Sequence, residues 1–200
     1  MNYIIKELNS AVYKEKRSEF IGFIKPINKI QDVNDFLKTL KSKYPSARHS
    51  CWAYRIYINN ELIENSTDSG EPSGSAGLPI LNVIKQHNIV NNGLFVVRFF
   101  GGVKLGKQGL INAYKTTAGL VIAESVLHKW IPKLQYQISA SLKYYGKIAG
   151  IIRQNNGKII SDHTTDKIKL KIELPVEKYH DFRNKFNEIT QNSGKFQKKE

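Results

Sequence analysis

An almost unbroken apolar run, GLFVVRFF at residues 93–100, contains Arg98 as its one charged residue. A strand of this composition is covered on both faces, so the run predicts a central strand of a buried sheet. The next segment, GGVKLGKQG, is rich in glycine, and residues 109–130 then predict a long helix with apolar side chains at helical spacing. The fold must therefore place a glycine-rich loop between a buried strand and a helix.

The segments before this strand also carry strand and helix patterns. Residues 19–27 are rich in β-branched and aromatic side chains, which favours a strand. Pro79 fits the first turn of a helix, since it would cost about 3 kcal/mol deeper inside one. The predicted elements are a strand at 19–27, a helix at 33–44, strands at 49–58 and 61–66 joined by a turn at Asn59-Asn60, and a helix at 78–87.

A second group of elements follows the break at Ile131-Pro132. It has predicted strands at 134–142, 158–163 and 167–174 and predicted helices at 144–154 and 176–191. We therefore expect an α+β protein with two domains, residues 1–132 and residues 133–200. The βαββα order indicates a small sheet with two helices on one face. A ferredoxin-like fold needs one more strand, and the final SGKFQKKE is short and very polar for that strand.

The charge balance favours polyanionic partners. Lys and Arg number 31 against 17 Asp and Glu, a formal net charge of +14. The field of such a chain attracts RNA, DNA or ribosomes. A codon bias toward lysine, which supplies 25 of these cations against 6 arginines, is the alternative explanation and involves no selection for binding.

The single cysteine, Cys51, excludes an intrachain disulfide and a multi-cysteine zinc site, which fits a reducing cytosol. The first residues contain no signal-peptide core, and no run of about 18 apolar residues occurs. We therefore expect a cytoplasmic protein that does not contact the membrane, with no cofactor and no bound metal.

Two glycine-rich segments are the predicted binding elements: the first glycine loop (residues 68–77) and the second glycine loop (residues 101–109). Residues without a Cβ let backbone N–H groups approach a ligand, and both loops lead into predicted helix N-termini, which favour phosphate. The alternative is that these glycines serve only tight turns and close packing. The candidate anion-binding residues are Gly74, Ser75, Gly77, Arg98, Gly101, Gly102, Lys104, Gly106 and Lys107, with Arg48 and Arg55 extending the positive field.

The second glycine loop also matches part of a nucleotide-hydrolase loop. Gly101, Gly106 and Lys107 have the required spacing, but Gln108 stands where Ser or Thr would hold Mg²⁺. No apolar strand ending in Asp supplies the second group that orients the metal. The sequence therefore argues against ATP or GTP hydrolysis.

Four other side chains are candidates for metal binding or catalysis. Asp68 and Glu71, three residues apart in the first glycine loop, could hold a metal or act as acid and base, or could cap the following helix. His49 and Cys51 lie on one face of a predicted strand, which allows a cysteine nucleophile or an unreactive core thiol. The sequence identifies no catalytic residue.

Two motifs together resemble the signatures of one family. DSGEPSGSAGLPIL and, downstream, VVRFFGGVKLGKQGLINAY resemble the D-G-E-P-x-G-T-A-G-x-P and R-Y-F-G-G-x-x-L-G-x-G-G-L-x-R-A-Y motifs of the IMPACT/YigZ family. SEFIGFIKPI and ARHSCWAYRI resemble it too. The resemblance implies a ribosomal protein S5 domain 2-like first domain and a ferredoxin-like second domain. It also implies that the match to a phosphate-binding loop is accidental.

The chain departs from the family motifs at Ser69, Ser75, Phe99, Gln108 and Asn112. The replacement of arginine by Asn112 removes a charge beside the second glycine loop. Relatives of both implied folds contact RNA, and eukaryotic family members are linked to the regulation of translation. We therefore expect a non-catalytic protein that binds RNA or the ribosome in a translation-related role. The alternatives are an enzyme that acts on a small phosphorylated or nucleotide substrate and a module that binds a translation-regulatory protein.

Overall fold

The structure is a computed structural model that describes residues 1–59 and 61–198. The chain divides into two compact units, Met1–Trp130 and Ile131–Glu200. Both units combine helices with antiparallel sheets, so the predicted α+β class is confirmed. The division falls between Trp130 and Ile131, two residues before the predicted boundary.

The first unit is built on a five-stranded antiparallel sheet in the order β2-β3-β6-β4-β5. Its elements are β1 (Tyr3–Ile4), β2 (Asn9–Glu15), β3 (Ser18–Pro26), α1 (Gln31–Lys43), β4 (His49–Ile58), β5 (Glu61–Thr67), α2 (Gly77–Gln86), β6 (Asn92–Phe99), α3 (Gly106–Ala123) and β7 (His128–Lys129). The apolar run of the sequence is β6, the middle strand, and seven of its eight residues are buried. This confirms the central strand.

Helices cover both faces of this sheet. Side chains of α2 and α3 pack with Phe20, Cys51 and Val96 on one face. On the other face α1 packs with Phe23 and Phe95. Two separate cores on one sheet explain why β6 is apolar on both of its faces, since alternate side chains enter different cores.

The two ends of the first unit lie side by side. Strand β1 pairs with β7, with Tyr3 opposite Lys129 and Ile4 opposite His128. The Trp130 ring stacks on Tyr57 of β4 with 4.5 Å between the ring centroids. This clasp joins the first strand of the unit to the last.

The second unit has the ferredoxin-like arrangement. Its elements are β8 (Lys133–Ser141), α4 (Tyr145–Gln154), β9 (Lys158–Asp162), β10 (Lys167–Pro175), α5 (Tyr179–Thr190) and β11 (Lys195–Lys198). The antiparallel sheet has the order β11-β8-β10-β9, and apolar side chains of α4 and α5 cover one face. The last strand, which the sequence pattern did not support, exists because Phe196 enters the core and packs on Phe182 and Tyr136.

Some sequence predictions differ from the structure, and one lies partly outside the described residues. Strand β2 was not predicted, since NSAVYKE is a half-exposed edge strand with only Ala11 buried. The helix expected at 109–130 begins at Gly106 and ends at Ala123, where a turn and β7 follow. The predicted turn at Asn59-Asn60 includes Asn60, which lies outside the described residues; Asn59 has a φ of 50°, as a tight turn requires.

Candidate functional site

Both glycine loops leave the same end of the five-stranded sheet. The first glycine loop follows β5 and leads into α2, while the second follows β6 and leads into α3. Across the strands, Arg98 is paired with Phe20 of β3 and with His49 of β4. The fold therefore brings the two signature motifs together, although residues 82–95 separate them in the sequence.

Asp68 occupies the centre of the first glycine loop. One carboxylate oxygen, Oδ2, accepts the N–H of Gly74 at 2.8 Å, and the other, Oδ1, accepts the N–H groups of Ala76 at 2.9 Å and Gly77 at 2.8 Å. Partial burial acts to raise the pKa of Asp68, but these three bonds and the charge of Lys107 outweigh it and lower that pKa. Asp68 is thus a capping anion at the N-terminus of α2.

This geometry differs from the predicted anion cradle in the first glycine loop. The N–H groups of Gly74 and Gly77 already have an anionic acceptor within the chain. Ser75 is fully buried and donates its hydroxyl to the Pro72 carbonyl oxygen at 2.6 Å. Gly77 is required for packing, since a Cβ there would lie 2.7 Å from the Thr67 backbone. The Asp68 side chain thus holds the first glycine loop in place by accepting the loop's own N–H groups.

Arg98 forms a buried ion pair with Glu71. Its Nη1 donates to Glu71 Oε1 at 2.7 Å, and the two side chains are only 7% and 4% exposed. The Tyr114 hydroxyl of α3 donates to the same oxygen at 2.9 Å. The guanidinium lies 5.4 Å from the centre of the Phe20 ring and 5.5 Å from that of Phe100. Arg98 is therefore engaged in holding the first glycine loop against β6 and α3, which differs from the predicted role as a free phosphate-binding cation.

Cys51 is an unreactive core thiol. It is fully buried, and its Sγ donates to the Asp68 carbonyl oxygen at 3.0 Å. Burial is the main cause that raises the pKa of this thiol to about 12, so the thiolate needed for nucleophilic attack is scarce at neutral pH. The neighbouring His49 has its Nδ1 3.0 Å from the Ser69 carbonyl oxygen. Both side chains support the first glycine loop.

The second glycine loop packs against a hairpin turn. A Cβ on Gly101 would lie 2.0 Å from the carbonyl carbon of Arg17, so only glycine fits there. The Gly101 N–H donates to Ser18 Oγ at 3.2 Å. Lys16 and Arg17, which form the turn between β2 and β3, are exposed and have φ values of 43° and 67°. No local sequence pattern marks these two cations, because their proximity to Gly101 arises only from the pairing of β2 with β3.

Beyond Gly101 the second glycine loop is open to solvent. Gly102 and Gly106, with φ values of 84° and 71°, are exposed, and no described atom lies within 4 Å of where their Cβ atoms would be. Helix α3 starts here without a side-chain cap and without an acidic residue in its first turn. We define the basic rim as the exposed side chains around this helix start: Lys16, Arg17, Lys104 and Lys107.

The two other predicted arginines lie apart from each other. Arg48 is exposed and directly precedes β4, at the loop end of the sheet. Arg55 lies seven residues beyond Arg48, a distance of about 23 Å along a strand. It pairs with Glu64 at 2.7 Å and is 11% exposed. Arg55 is therefore an ion-pair partner at the opposite end, and the structure separates it from the predicted site.

Three further features of the described residues concern metal ligands, Gln108 and membrane-spanning helices. Within residues 1–59 and 61–198, no group of three or more His, Cys, Asp or Glu side chains is placed to hold a metal ion. The side chain of Gln108, at the position of the missing hydroxyl, donates to Asn112 at 3.1 Å. Among the helices of the described residues, none is long and apolar enough to cross a membrane.

The comparisons with known proteins agree with the paired motifs. A family model described as the Impact N-terminal domain matches residues 16–122, and the chain belongs to the IMPACT family. The resemblance inferred from the two signature motifs is thereby confirmed.

Two relatives and one solved structure are similar to this chain over both units. The chain is 29% identical to IMPACT family member YvyE of Bacillus subtilis, over 94% of this chain and 86% of that protein. It is 25% identical to IMPACT family member YigZ of Escherichia coli, over 92% and 91%. A crystal structure of a hypothetical protein shares the fold over 99% of this chain and 97% of that one, with a TM-score of 0.77 and 24% identity. The translational regulator Yih1 is matched over 62% of this chain and 47% of that one, with a TM-score of 0.37 and 23% identity.

Proposed function

We propose that the first unit is a non-catalytic module that binds the phosphates of RNA or of the ribosome at the basic rim, in a translation-related role in the cytoplasm. The observation that carries this proposal is the uncapped start of α3. Its N–H groups have no intrahelical acceptors, and the helix dipole is positive at this end. Phosphate oxygens are the ligands that such a helix start favours.

The surrounding charges support the same ligand. Four exposed cations from two loops flank the helix start, and each can reach a different phosphate of an extended strand. The first unit contains 17 Lys and Arg against 10 Asp and Glu, an excess of seven positive charges. The charge of Asp68 in the first glycine loop is held by three amide N–H groups of that loop and is offset in part by the charge of Lys107. The field at the rim is therefore positive.

The buried ion pair and the locked first glycine loop have a supporting role in this proposal. They hold β6, α2 and α3 in fixed relation, so that the second glycine loop is presented from a rigid base. Both loop carboxylates are engaged in these bonds, which argues against an acid and base role for them. Membership in the IMPACT family supports the connection with translation.

The first test removes two cations of the basic rim. The double substitution Lys104→Gln and Lys107→Gln deletes two phosphate contacts, and each contact contributes about 0.7 to the logarithmic salt slope for a single strand. We expect affinity for a single-stranded RNA to fall by about 25-fold at 0.1 M salt. Fluorescence anisotropy of a labelled RNA over a salt series measures both quantities. The matched control is Lys29→Gln with Lys41→Gln, which removes equal charge from exposed positions before and on α1. Equal losses in the two variants would contradict a localised site.

A second test distinguishes RNA from other polyanions. Phe100, 51% exposed next to the second glycine loop, presents a ring on which a base can stack. Phe100→Leu keeps an apolar cover over Arg98 but removes that ring, and we expect RNA affinity to fall by about 1–3 kcal/mol. Affinity for inorganic polyphosphate, measured by competition, should stay unchanged because it has no base. Val103→Ala, at the neighbouring exposed apolar residue, is the control. An equal loss of affinity for both ligands would exclude stacking.

A further inference from the structure

The sheet of the second unit has one face without a helix. Along β10, Ile168, Leu170 and Ile172 are buried on the side of α4 and α5. The residues between them point the other way because side chains alternate along a strand. These include Lys169 and Lys171. Within the described residues of this unit, no helix packs on that second face, which we name the open face.

Strand pairing arranges the open face into two rows that cross all four strands. Ser139 of β8 lies opposite both Lys195 of β11 and Lys169 of β10, and Gln137 lies opposite both Gln197 and Lys171. The His163 N–H donates to the Lys169 carbonyl oxygen, and Ser161 lies opposite Lys171. The first row is Lys195, Ser139, Lys169 and His163. The second row is Gln197, Gln137, Lys171 and Ser161. Together they line a groove of about 520 Å³.

The charges in this groove have one sign. Neither row contains an acidic residue. Asp162 is paired with Leu170, so it lies on the helix side, where its carboxylate accepts the Tyr145 hydroxyl at 2.6 Å. Glu173, two residues beyond Lys171 on the open face, pairs with Lys133 at 3.4 Å. Among the described residues, Lys169, Lys171 and Lys195 form no ion pair, and the pKa of Asp166 is lowered by hydrogen bonds to its carboxylate and in part by the nearby charge of Lys169.

We propose that the open face binds the phosphate backbone of a single-stranded nucleic acid. Lysines two residues apart on β10 are separated by about 6.7 Å, and four strands span about 14 Å, so the cations form a flat array. An extended nucleic-acid strand presents regularly spaced phosphates to such an array. The Gln and Ser side chains between the lysines supply neutral hydrogen-bond donors.

The residue types favour phosphate over the carboxylates of an acidic protein. Lysine binds phosphate as a point charge, whereas planar carboxylates are matched by the bidentate fork of arginine. The two rows contain three lysines and no arginine. They also contain no Phe, Tyr or Trp ring on which a base could stack, and Phe196 enters the core on the opposite side. Binding at the open face is therefore directed at the backbone and independent of base sequence, whereas the proposed contact at Phe100 is made with a base.

The test uses the full chain and a labelled oligouridylate of twelve nucleotides. The open-face variant combines Lys169→Gln, Lys171→Gln and Lys195→Gln. Loss of three phosphate contacts lowers affinity by about 100-fold at 0.1 M salt and reduces the logarithmic salt slope by about 2. The matched control combines Lys143→Gln, Lys147→Gln and Lys185→Gln, which removes the same charge from exposed positions before or on the helices of the same unit. The control retains affinity within a few fold. Equal losses in both variants, or full retention in the open-face variant, overturn the proposal.

The same assay separates this inference from the proposed function of the first unit. If Lys104→Gln with Lys107→Gln retains affinity while the open-face variant loses it, the basic rim is excluded and the open face stands. The reverse result excludes the open face. If polyglutamate displaces the RNA from the open face at equal charge concentration, the open face is a protein-binding surface and the proposal is overturned. Absence of RNA binding by the unsubstituted chain also overturns the proposal.

A measurement on the unsubstituted chain tests the proposal even if a variant does not fold. Backbone amide resonances of the unsubstituted chain are followed during titration with the oligouridylate. We expect shifts at residues of β8, β9, β10 and β11 that face the groove, with the largest near Ser139 and Lys169. Replacing oligouridylate by oligoadenylate should move the same resonances with similar affinity. Shifts that avoid these strands overturn the proposal.

Discussion

Replacing Arg98 by methionine should destabilise the first unit by about 3–5 kcal/mol, because it leaves the Glu71 carboxylate buried without its cationic partner. The side chain is surrounded by the Phe20 and Phe100 rings, so a methionine of similar length still fills the space. The cost comes from the unpaired charge. A loss of stability this large would make Arg98 a structural residue of the signature motif, whatever ligand the loops bind.

The partner substitution tests this explanation. Adding Glu71→Gln to Arg98→Met removes the second charge while keeping an acceptor for the Tyr114 hydroxyl. We expect the double variant to regain most of the lost stability, as a double-mutant cycle would show. Lys14→Met is the control, since it breaks the exposed Lys14 and Glu19 pair and should cost less than about 1 kcal/mol.

Tryptophan fluorescence during urea denaturation measures these differences in the first unit alone. Both tryptophans of the chain, Trp52 and Trp130, belong to that unit. A double variant that is no more stable than Arg98→Met would contradict an origin in the unpaired carboxylate, and would point to lost packing around the guanidinium.

Replacing Asp68 by asparagine should destabilise the first unit by about 1.5–3 kcal/mol, the range of one hydrogen bond to a charged group. Asparagine retains one oxygen, which can still accept from Ala76 and Gly77. Its amide NH₂ then faces the N–H of Gly74, so two donors meet and one remains unsatisfied. Asp68→Ala, which removes all three acceptor contacts, should cost more than Asp68→Asn.

The effect of Asp68 depends on pH with a defined sign. The pKa of Asp68 is lowered in the folded chain from its ordinary value of 3.8. The carboxylate therefore contributes stability that is fully present above the unfolded pKa and is lost as the pH falls through the folded pKa. The difference in unfolding free energy between the unsubstituted chain and Asp68→Asn should be constant near pH 7 and should shrink below about pH 4. A difference that stays constant down to pH 2 would exclude the charge as its origin.

The sequence predicted the elements whose patterns are local. The apolar composition of β6 and the helical spacing of α1 are written in consecutive residues, so both elements were predicted correctly. Strand β11 was not supported by its composition, because Phe196 is its only apolar side chain. Packing of that ring on Phe182 and Tyr136 fixes the strand, and this information is distributed over sixty residues.

The candidate site shows the same division between local and distant information. The glycines of both loops and the exposed lysines of the second were visible in the sequence. The sequence did not show that Asp68 accepts hydrogen bonds from the amides of the first glycine loop, since a loop carboxylate can face solvent as easily as its own backbone. The pairing of Arg98 with Glu71 depends on two loops that meet only in the folded sheet. Lys16 and Arg17 join the site through a hairpin register that no local pattern specifies.

The clasp between β1 and β7 has a consequence for the order in which the chain folds during synthesis. Tyr3 is synthesised long before its partner Lys129, which is added only when the first unit is nearly complete. Residues 88–90 bond to Tyr3 along one edge, so until β7 is added the nascent chain carries a leading strand whose other edge is unpaired. Closure of the first unit then coincides with translation of the second, and a chain terminated before residue 128 would keep the edge that pairs with β7 exposed to aberrant pairing.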